Sequence, residues 1–233
     1  MNTFQKRCLN SLKFLGLIIL VVVTNVTPMF LIRFQSNLGD SVKWFLTAAY
    51  LVFVAFSIIW LWKWYQKGVP AEHQHQKIGW KDFGIVMLFY LAGRIIAVAG
   101  TVINQLVSGN QMSMNDQAIF GLTAGLKEGF LPFTICFLLA IGIIAPIIEE
   151  LVFRGLASQI FFSGGNKWLA AIVTSLIFGI LHATNLIEWI MYTGLGIVFY
   201  LAYARRRNIK DSILLHMINN IPPAILLAYT IFS

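Results

Sequence analysis

The chain has 233 residues, of which 58% are hydrophobic and only 11% are charged. Soluble domains carry roughly 25% charged residues, so this composition excludes an ordinary soluble globular protein. About seven membrane-spanning helices of about 20 residues each require roughly 140 apolar-rich positions. We therefore predict an all-α fold, a polytopic membrane helix bundle of about seven transmembrane helices that forms one integral membrane domain over residues 1–233.

Long apolar runs mark the predicted spans in chain order. They lie near residues 11–32, 44–64, 83–107, 131–162, 168–186, 187–204 and 212–232. The first run lacks a small-residue cleavage pattern, so we expect an uncleaved signal anchor. The fourth run is overlong, because 32 helical residues would extend about 48 Å across a hydrocarbon core of roughly 30 Å. It must tilt, protrude or break, and Pro146 offers a break because proline removes a helical hydrogen bond.

The formal net charge of +8 comes mostly from the segments between spans. If the N-terminus is cytoplasmic, the outer loops carry only Arg33, Lys43 and Lys127 among the basic residues. The positive-inside rule then predicts a multi-pass protein of the plasma membrane, with the N-terminus inside and the C-terminus outside. We interpret the basic run at 205–207 as an anchor facing anionic lipid headgroups, and not as a nucleic-acid site. The small size and this charge pattern are typical of a bacterial protein.

A few ionisable residues remain inside the predicted spans. They are Arg94, Glu149, Glu150, Arg154, His182 and His216. A charged side chain at the bilayer centre costs about 2.5–3.5 kcal/mol on insertion scales, so such residues are candidates for function. All but Arg94 lie in the C-terminal half, where we place the site, and Arg94 receives no role.

The two adjacent glutamates of the fourth span are predicted to differ. Glu150 and Arg154 stand at i and i+4 with the acid first, which favours an ion pair along one helix face. Glu149 points about 100° away and has no such cation, so it is available as a general base. If a second helical segment begins at Pro146, both glutamates lie in its first turn, where free N–H groups favour carboxylates.

Two further pairs have the spacing of one helical turn. Phe178 and His182 share a face of the fifth span, and His216 and Asn220 share a face of the last, with Asn219 facing elsewhere. One such pair could merely join helices through hydrogen bonds, but three on successive polar-bearing spans indicate a site. A carboxylate to deprotonate water, an imidazole to orient it and donors for an oxyanion are what amide hydrolysis requires.

These pairs resemble, in order and spacing, the three motifs of the CAAX protease and bacteriocin-processing family, also called the Abi family. As they stand here, the motifs are Glu149-Glu150-x-x-x-Arg154, Phe178-x-x-x-His182 and His216-x-x-x-Asn220. The resemblance covers about residues 130–225, which we treat as the protease core. It implies an intramembrane CAAX-type endopeptidase that cuts a membrane-embedded or membrane-associated protein or peptide.

The resemblance also implies a role for each motif residue. Glu149 and His182 would activate water, and His216 and Asn220 would stabilise the tetrahedral oxyanion. The supporting residues would hold the helices; they are Glu150, Arg154 and Phe178.

The residues leave the use of a metal open. Glu149, His182 and His216 would make a carboxylate and two-imidazole ligand set for catalytic zinc. No His-Glu-x-x-His helix is present, however. We favour a glutamate-dependent mechanism without a cofactor and keep a zinc metallo-endopeptidase as the alternative.

Two other functions also suit the sequence. The resemblance implies that such a chain can act without proteolysis, as a bacteriocin immunity factor or as the partner of a membrane sensor kinase. Intramembrane Glu, His and Arg residues also build the proton pathways of small transporters, although the chain shows no repeated halves. The substrate, the cleavage site and the oligomeric state are not encoded in any pattern we recognise.

Overall fold

A computed structural model describes residues 3–109, 112–162 and 166–233 of the chain. Within these ranges the secondary structure is helical and no strand occurs, which confirms the all-α prediction. The main helices are α1 Thr3–Phe34, α2 Asp40–Lys67, α3 Trp80–Ser108, α4 Leu131–Phe161, α5 Lys167–His182, α6 Leu186–Ala204 and α7 Ile209–Phe232. Short helical segments connect them at Gln35–Asn37, Ala71–Gln74, Met114–Phe120 and Thr123–Lys127.

In the part of the chain that the structure describes, six helices, all of the main ones except α5, are long and apolar enough to cross a membrane. The chain is therefore a multi-pass membrane protein. The fifth predicted span is realised by α5, which has 16 residues and a length of about 24 Å. It ends at His182 because Ala183 adopts extended backbone. Asn185 then caps α6 by accepting a hydrogen bond from the Glu188 amide at 2.9 Å.

Helix α4 continues through Pro146, so of the three outcomes considered for this overlong span the break at Pro146 does not occur. Its segments Ala140–Ile144 and Glu150–Leu156 are π-helical and the rest is α-helical. In the π register the amide of residue 146 would donate to the carbonyl of residue 141, which a proline cannot do. The Asn220 side chain of α7 donates to Ile141 O instead, at 3.0 Å. Glu149 therefore lies inside a continuous helix, and no helix N-terminus supports its carboxylate.

A second proline, Pro28, lies inside α1 and its lost hydrogen bond is replaced in the same way. In an α-helix the amide of residue 28 would donate to Thr24 O. The hydroxyl of Tyr50 in α2 donates to this carbonyl at 3.1 Å. Both residues are buried, and a buried carbonyl without a partner costs about 1–3 kcal/mol. The contact therefore fixes the middle of α1 against α2.

The most buried part of the molecule is the second half of α4. Its fully buried residues are Ile148, Glu150, Leu151, Val152, Phe153, Arg154 and Leu156. Helices α5 and α6 pack closely against each other, and a Cβ on Gly196 would come within 2.9 Å of Ser175 Cβ. Helix α7 contacts α3, α4 and α6. The polar residues of α4 thus face neighbouring helices, while the outer faces of α1, α2 and α3 expose large apolar side chains.

The basic run after α6 forms ion pairs within the chain, and its role as an anchor facing lipid headgroups stays a prediction. Arg206 Nε and Nη2 each donate to a different oxygen of Asp211 at 2.6 Å. Arg205 Nη2 lies 2.8 Å from Asp82 Oδ1. The hydrogen bonds to the Asp211 carboxylate raise the pKa of Arg206 above its usual value. Two of the three arginines therefore tie the α6–α7 connection to the start of α3.

Candidate active site

The predicted catalytic residues meet at one cavity of about 140 Å³. Its polar wall contains Glu149, His182, His216 and Asn220. A water molecule needs about 10–15 Å³ of such space, so several waters fit. The exposed Arg94 does not line it. The apolar wall includes Met29, Phe137, Ile141, Leu195 and Phe199.

Glu149 has one carboxylate oxygen that faces both histidines. The side chain is almost fully buried, and among the described residues its Oε2 atom has no hydrogen-bond partner. His182 Nε2 lies 3.7 Å from this oxygen, and His216 Nε2 lies 3.9 Å from it. Both separations are too long for a direct hydrogen bond. A small proton donor placed between the three atoms would satisfy Oε2.

The other ring nitrogen of each histidine is held by a fixed acceptor. His182 Nδ1 lies 2.8 Å from Phe178 O, and a carbonyl can only accept, so Nδ1 carries the proton. His216 Nδ1 lies 2.9 Å from Glu150 Oε1, the oxygen that also pairs with Arg154 at 3.1 Å. A neutral imidazole protonated on Nδ1 presents a lone pair at Nε2, whereas an imidazolium donates from both nitrogens. Beside the Glu150 carboxylate His216 can take either form, so Glu149 Oε2 and His182 Nε2 are the two acceptors that suit the two hydrogens of a bound water.

The predicted ion pair between Glu150 and Arg154 is present and completely buried. The Arg154 guanidinium lies over the Phe178 ring at 4.4 Å, and its Nη2 donates to Gly196 O at 3.2 Å. A buried ion pair tolerates desolvation only with such additional contacts. Arg154 thus joins α4 to α5 and α6, and Glu150 also orients His216. The sequence indicated the Glu150–Arg154 ion pair but not the hydrogen bond between Glu150 and His216.

The two asparagines of α7 both line the cavity, so the prediction that Asn219 faces elsewhere is wrong. Asn219 Nδ2 donates to Asn220 Oδ1 at 3.1 Å, which turns its side chain toward its neighbour. Asn220 uses one amide hydrogen for Ile141 O. Because a side-chain amide has two N–H donors, each asparagine retains one beyond these bonds.

Asn25 of α1 also belongs to the site, and the sequence analysis did not identify it. Its Nδ2 donates to Glu149 Oε1 at 2.6 Å, across a separation of 124 residues. The side chain also lines the cavity. The only sequence signal was an amide within an apolar run, since such groups are expected to find interhelical partners.

The ligand types at the cavity suit zinc, but their spacing does not form a metal site as it stands. Carboxylate and imidazole are usual zinc ligands, and hydrogen bonds from Nδ1 are the contacts that orient such imidazoles. In the described part of the chain, no three His, Cys, Asp or Glu side chains are grouped closely enough to hold a metal ion. The arrangement therefore does not decide between the two mechanisms.

Comparison with known proteins gives the family. A model of type II CAAX prenyl endopeptidase Rce1-like proteins matches residues 131–222. UPF0177 protein YxdF of Lactococcus lactis is 30% identical over 140 residues, which are 75% of YxdF and 58% of this chain. The chain belongs to the CAAX protease and bacteriocin-processing family. Its matched region contains all three motifs, so the family core extends from α4 into α7, and Asn25 lies outside it.

Two other relatives have descriptive names. The putative membrane peptidase YdiL of Bacillus subtilis is 30% identical over 158 residues, which are 65% of this chain and 60% of YdiL. The membrane-embedded CAAX protease MroQ of Staphylococcus aureus is 30% identical over 145 residues, which are 59% of this chain and 52% of MroQ. The chain thus spans between half and three fifths of these two relatives. No solved structure matches it.

Proposed function

We propose that this protein is an intramembrane endopeptidase that hydrolyses a peptide bond of a membrane-associated protein or peptide. The observation that carries the proposal is the convergence of Glu149 Oε2 with the Nε2 atoms of His182 and His216 at one cavity. Membership of a family whose relatives are named as a membrane peptidase and a CAAX protease supports the same reaction.

Glu149 is the general base in this proposal. A water between Glu149 Oε2 and His182 Nε2 donates one proton to the carboxylate and attacks the scissile carbonyl carbon as its O–H bond breaks. His182 Nε2 accepts a hydrogen bond from the second O–H group of the water, without taking its proton, and so fixes the orientation of the water. When the tetrahedral intermediate collapses, Glu149 passes its proton to the leaving amine and returns to a carboxylate. Water is consumed and no other reactant is needed.

His216 and Asn220 stabilise the oxyanion in this proposal. Asn220 contributes the amide hydrogen that is not bonded to Ile141 O. His216 donates from Nε2 only as an imidazolium, for which the Glu150 carboxylate at 2.9 Å from Nδ1 is the counter-ion. Donors aimed at a developing oxyanion supply about 2.7–4 kcal/mol each in well-studied hydrolases. Glu150 therefore supports catalysis through His216.

We propose a metal-free mechanism, with zinc as the alternative. If zinc is bound, its ligands would be Glu149, His182 and His216, and it would polarise the carbonyl and acidify a water. The metal-free proposal is supported by the buried acceptor at Glu149 Oε2, by the hydrogen bond that leaves His182 Nε2 as an acceptor, and by the Glu150 carboxylate that can serve as counter-ion to a His216 imidazolium.

The proposed reaction is tested by comparing membrane proteomes of cells that carry the wild-type protein or the Glu149→Ala variant. We expect at least one membrane-associated precursor to accumulate uncut in the variant, at unchanged abundance of the protein itself. Glu128→Ala, at an exposed position, is the matched control and should leave processing intact. Normal processing with Glu149→Ala would contradict the protease proposal and favour an immunity or sensor-kinase partner role.

We also propose that the N-terminus lies on the cytoplasmic side of the plasma membrane. Lys6, Arg7 and Lys13 near the start of α1 support this orientation. With the six candidate spans alone, both termini lie on the same side of the membrane; if the shorter α5 also crosses, the C-terminus lies on the opposite side. Labelling of single cysteines introduced at each terminus with an impermeant reagent tests both, and an N-terminal cysteine labelled from outside would reverse the assignment.

A further inference from the structure

We propose that Asn25 of α1 is a positioning residue for Glu149, although it lies outside the family core. Its amide holds Glu149 Oε1, so that Oε2 faces His182 and His216. The proposal rests on the proposed protease function and adds to it a contribution from the N-terminal half of the chain.

The geometry of the Glu149 carboxylate depends on Asn25. The distance from Asn25 Nδ2 to Glu149 Oε1 is 2.6 Å, in the short range of hydrogen bonds to charged acceptors. The terminal torsion of a glutamate is broad and has no sharp staggered minimum, so the covalent structure of Glu149 does not fix Oε2. A donor on Oε1 does. Reaction rates depend steeply on such alignment, because misplacement by about 1 Å can cost about 100-fold.

No other group in the described part of the chain donates a hydrogen bond to Glu149 Oε1. Within the described residues, the ion-pair partners of Glu149 are His182 and His216, and both approach Oε2. Arg154 is paired with Glu150. Asn25 therefore supplies the hydrogen bond that defines the orientation of Glu149 without neutralising it.

Helix α1 is itself held in place next to Asn25. Pro28 leaves Thr24 O without its helical donor, and Tyr50 Oη donates to that carbonyl at 3.1 Å. Thr24 immediately precedes Asn25. The proline and the Tyr50 contact therefore set the local path of α1 at the residue that reaches Glu149.

Asn10 provides a matched control within the same helix. Its Nδ2 also donates from α1 to α4, to Ile160 O at 3.1 Å, but it does not line the cavity. If Asn25 serves only to join the two helices, loss of either amide should have similar consequences. If Asn25 positions Glu149, only its loss should slow the chemical step.

The experiment compares Asn25→Leu, Asn25→Gln and Asn10→Leu as full-length proteins purified in nanodiscs. The probe is a quenched fluorescent peptide that contains the cleavage site found in the proteome comparison. We expect Asn25→Leu to lower kcat by about 10- to 100-fold with little change in KM. Asn25→Gln keeps the donor on a longer stem and should recover part of kcat. Asn10→Leu should keep kcat within about twofold, since it contacts no reacting group.

A kcat for Asn25→Leu equal to that of Asn10→Leu would overturn the positioning role. If Asn25→Leu does not accumulate as folded protein, Asn25→Ser is measured instead, because the serine hydroxyl is too short to reach Glu149 Oε1. An unchanged kcat for Asn25→Ser would again overturn the positioning role.

Glu149→Gln, measured in parallel, separates the two proposals. An inactive Glu149→Gln beside a fully active Asn25→Leu removes only the role of Asn25, whereas an active Glu149→Gln removes both.

Discussion

The two adjacent glutamates of α4 have opposite surroundings. Glu150 is enclosed by Arg154 and His216, at 3.1 Å and 2.9 Å. Glu149, one residue earlier, lines a cavity, and in the described part of the chain it has no arginine or lysine within ion-pair distance. Buried charges in stable structures are normally paired, so the unpaired carboxylate is the one retained for chemistry. Both side chains are buried, so pairing with a cation, more than burial, separates the structural glutamate from the reactive one.

The largest expected effect that tests the difference between Glu149 and Glu150 is the loss of stability caused by Arg154→Ala. Arg154→Ala leaves Glu150 as a buried charge without its cation, which costs about 3–5 kcal/mol. Glu149→Ala removes a carboxylate that has no such cation, and the Asn25 amide that loses its acceptor lines the cavity, where water can accept its hydrogen bond, so the cost should be about 1 kcal/mol. We expect Arg154→Ala to lower the amount of folded protein in membranes far more than Glu149→Ala does, as measured by detergent-extracted monodisperse protein. Equal accumulation of both variants would remove the structural role of Arg154.

The spacing of residues within one helix explains why this part of the site could be predicted. The pairs Glu150 and Arg154, and Phe178 and His182, each follow from the helical repeat, which is a local property. The contact between Glu149 and Asn25 spans 124 residues, and no local rule connects them. The same limit applies to His216 and Glu150, which the sequence placed at one site without showing their hydrogen bond.

The differences between the predicted and the observed fold also arise from contacts that a local pattern does not show. Pro146 was expected to break α4 because it removes a local hydrogen bond. The helix continues because a π segment precedes the proline and Asn220, from another helix, satisfies Ile141 O. The sequence placed the end of the fifth span near residue 186, whereas α5 ends at His182. Ala183 is outside the helix, and Asn185 caps α6. Hydropathy does not predict this helix boundary, because apolar residues lie on both sides of it.

A smaller effect distinguishes the two asparagines of α7. Asn220→Ala removes both a cavity donor and the partner of Ile141 O, so it should reduce kcat and lower stability by about 1–3 kcal/mol. Asn219→Ala leaves the Ile141 contact intact and should change stability by less than about 0.5 kcal/mol. Thermal unfolding of the purified variants, followed by kcat measurements on the folded fraction, separates the two contributions. Equal stability of the two variants would show that Asn220 does not support α4 at Pro146.

The smallest expected effect is that of chelation, and it tests why Glu149 Oε2 has no partner. If the space beside this oxygen holds a water, exhaustive dialysis against EDTA and phenanthroline should leave kcat unchanged, and the purified protein should contain no stoichiometric metal. If the space is a zinc position, cleavage should be lost on chelation and restored by zinc alone, because a carboxylate and two neutral imidazoles are zinc ligands that bind the metal again when it is supplied. Restoration by zinc would make Glu149 a ligand, and the contrast with Glu150 would then be between a carboxylate paired with a metal and one paired with an arginine.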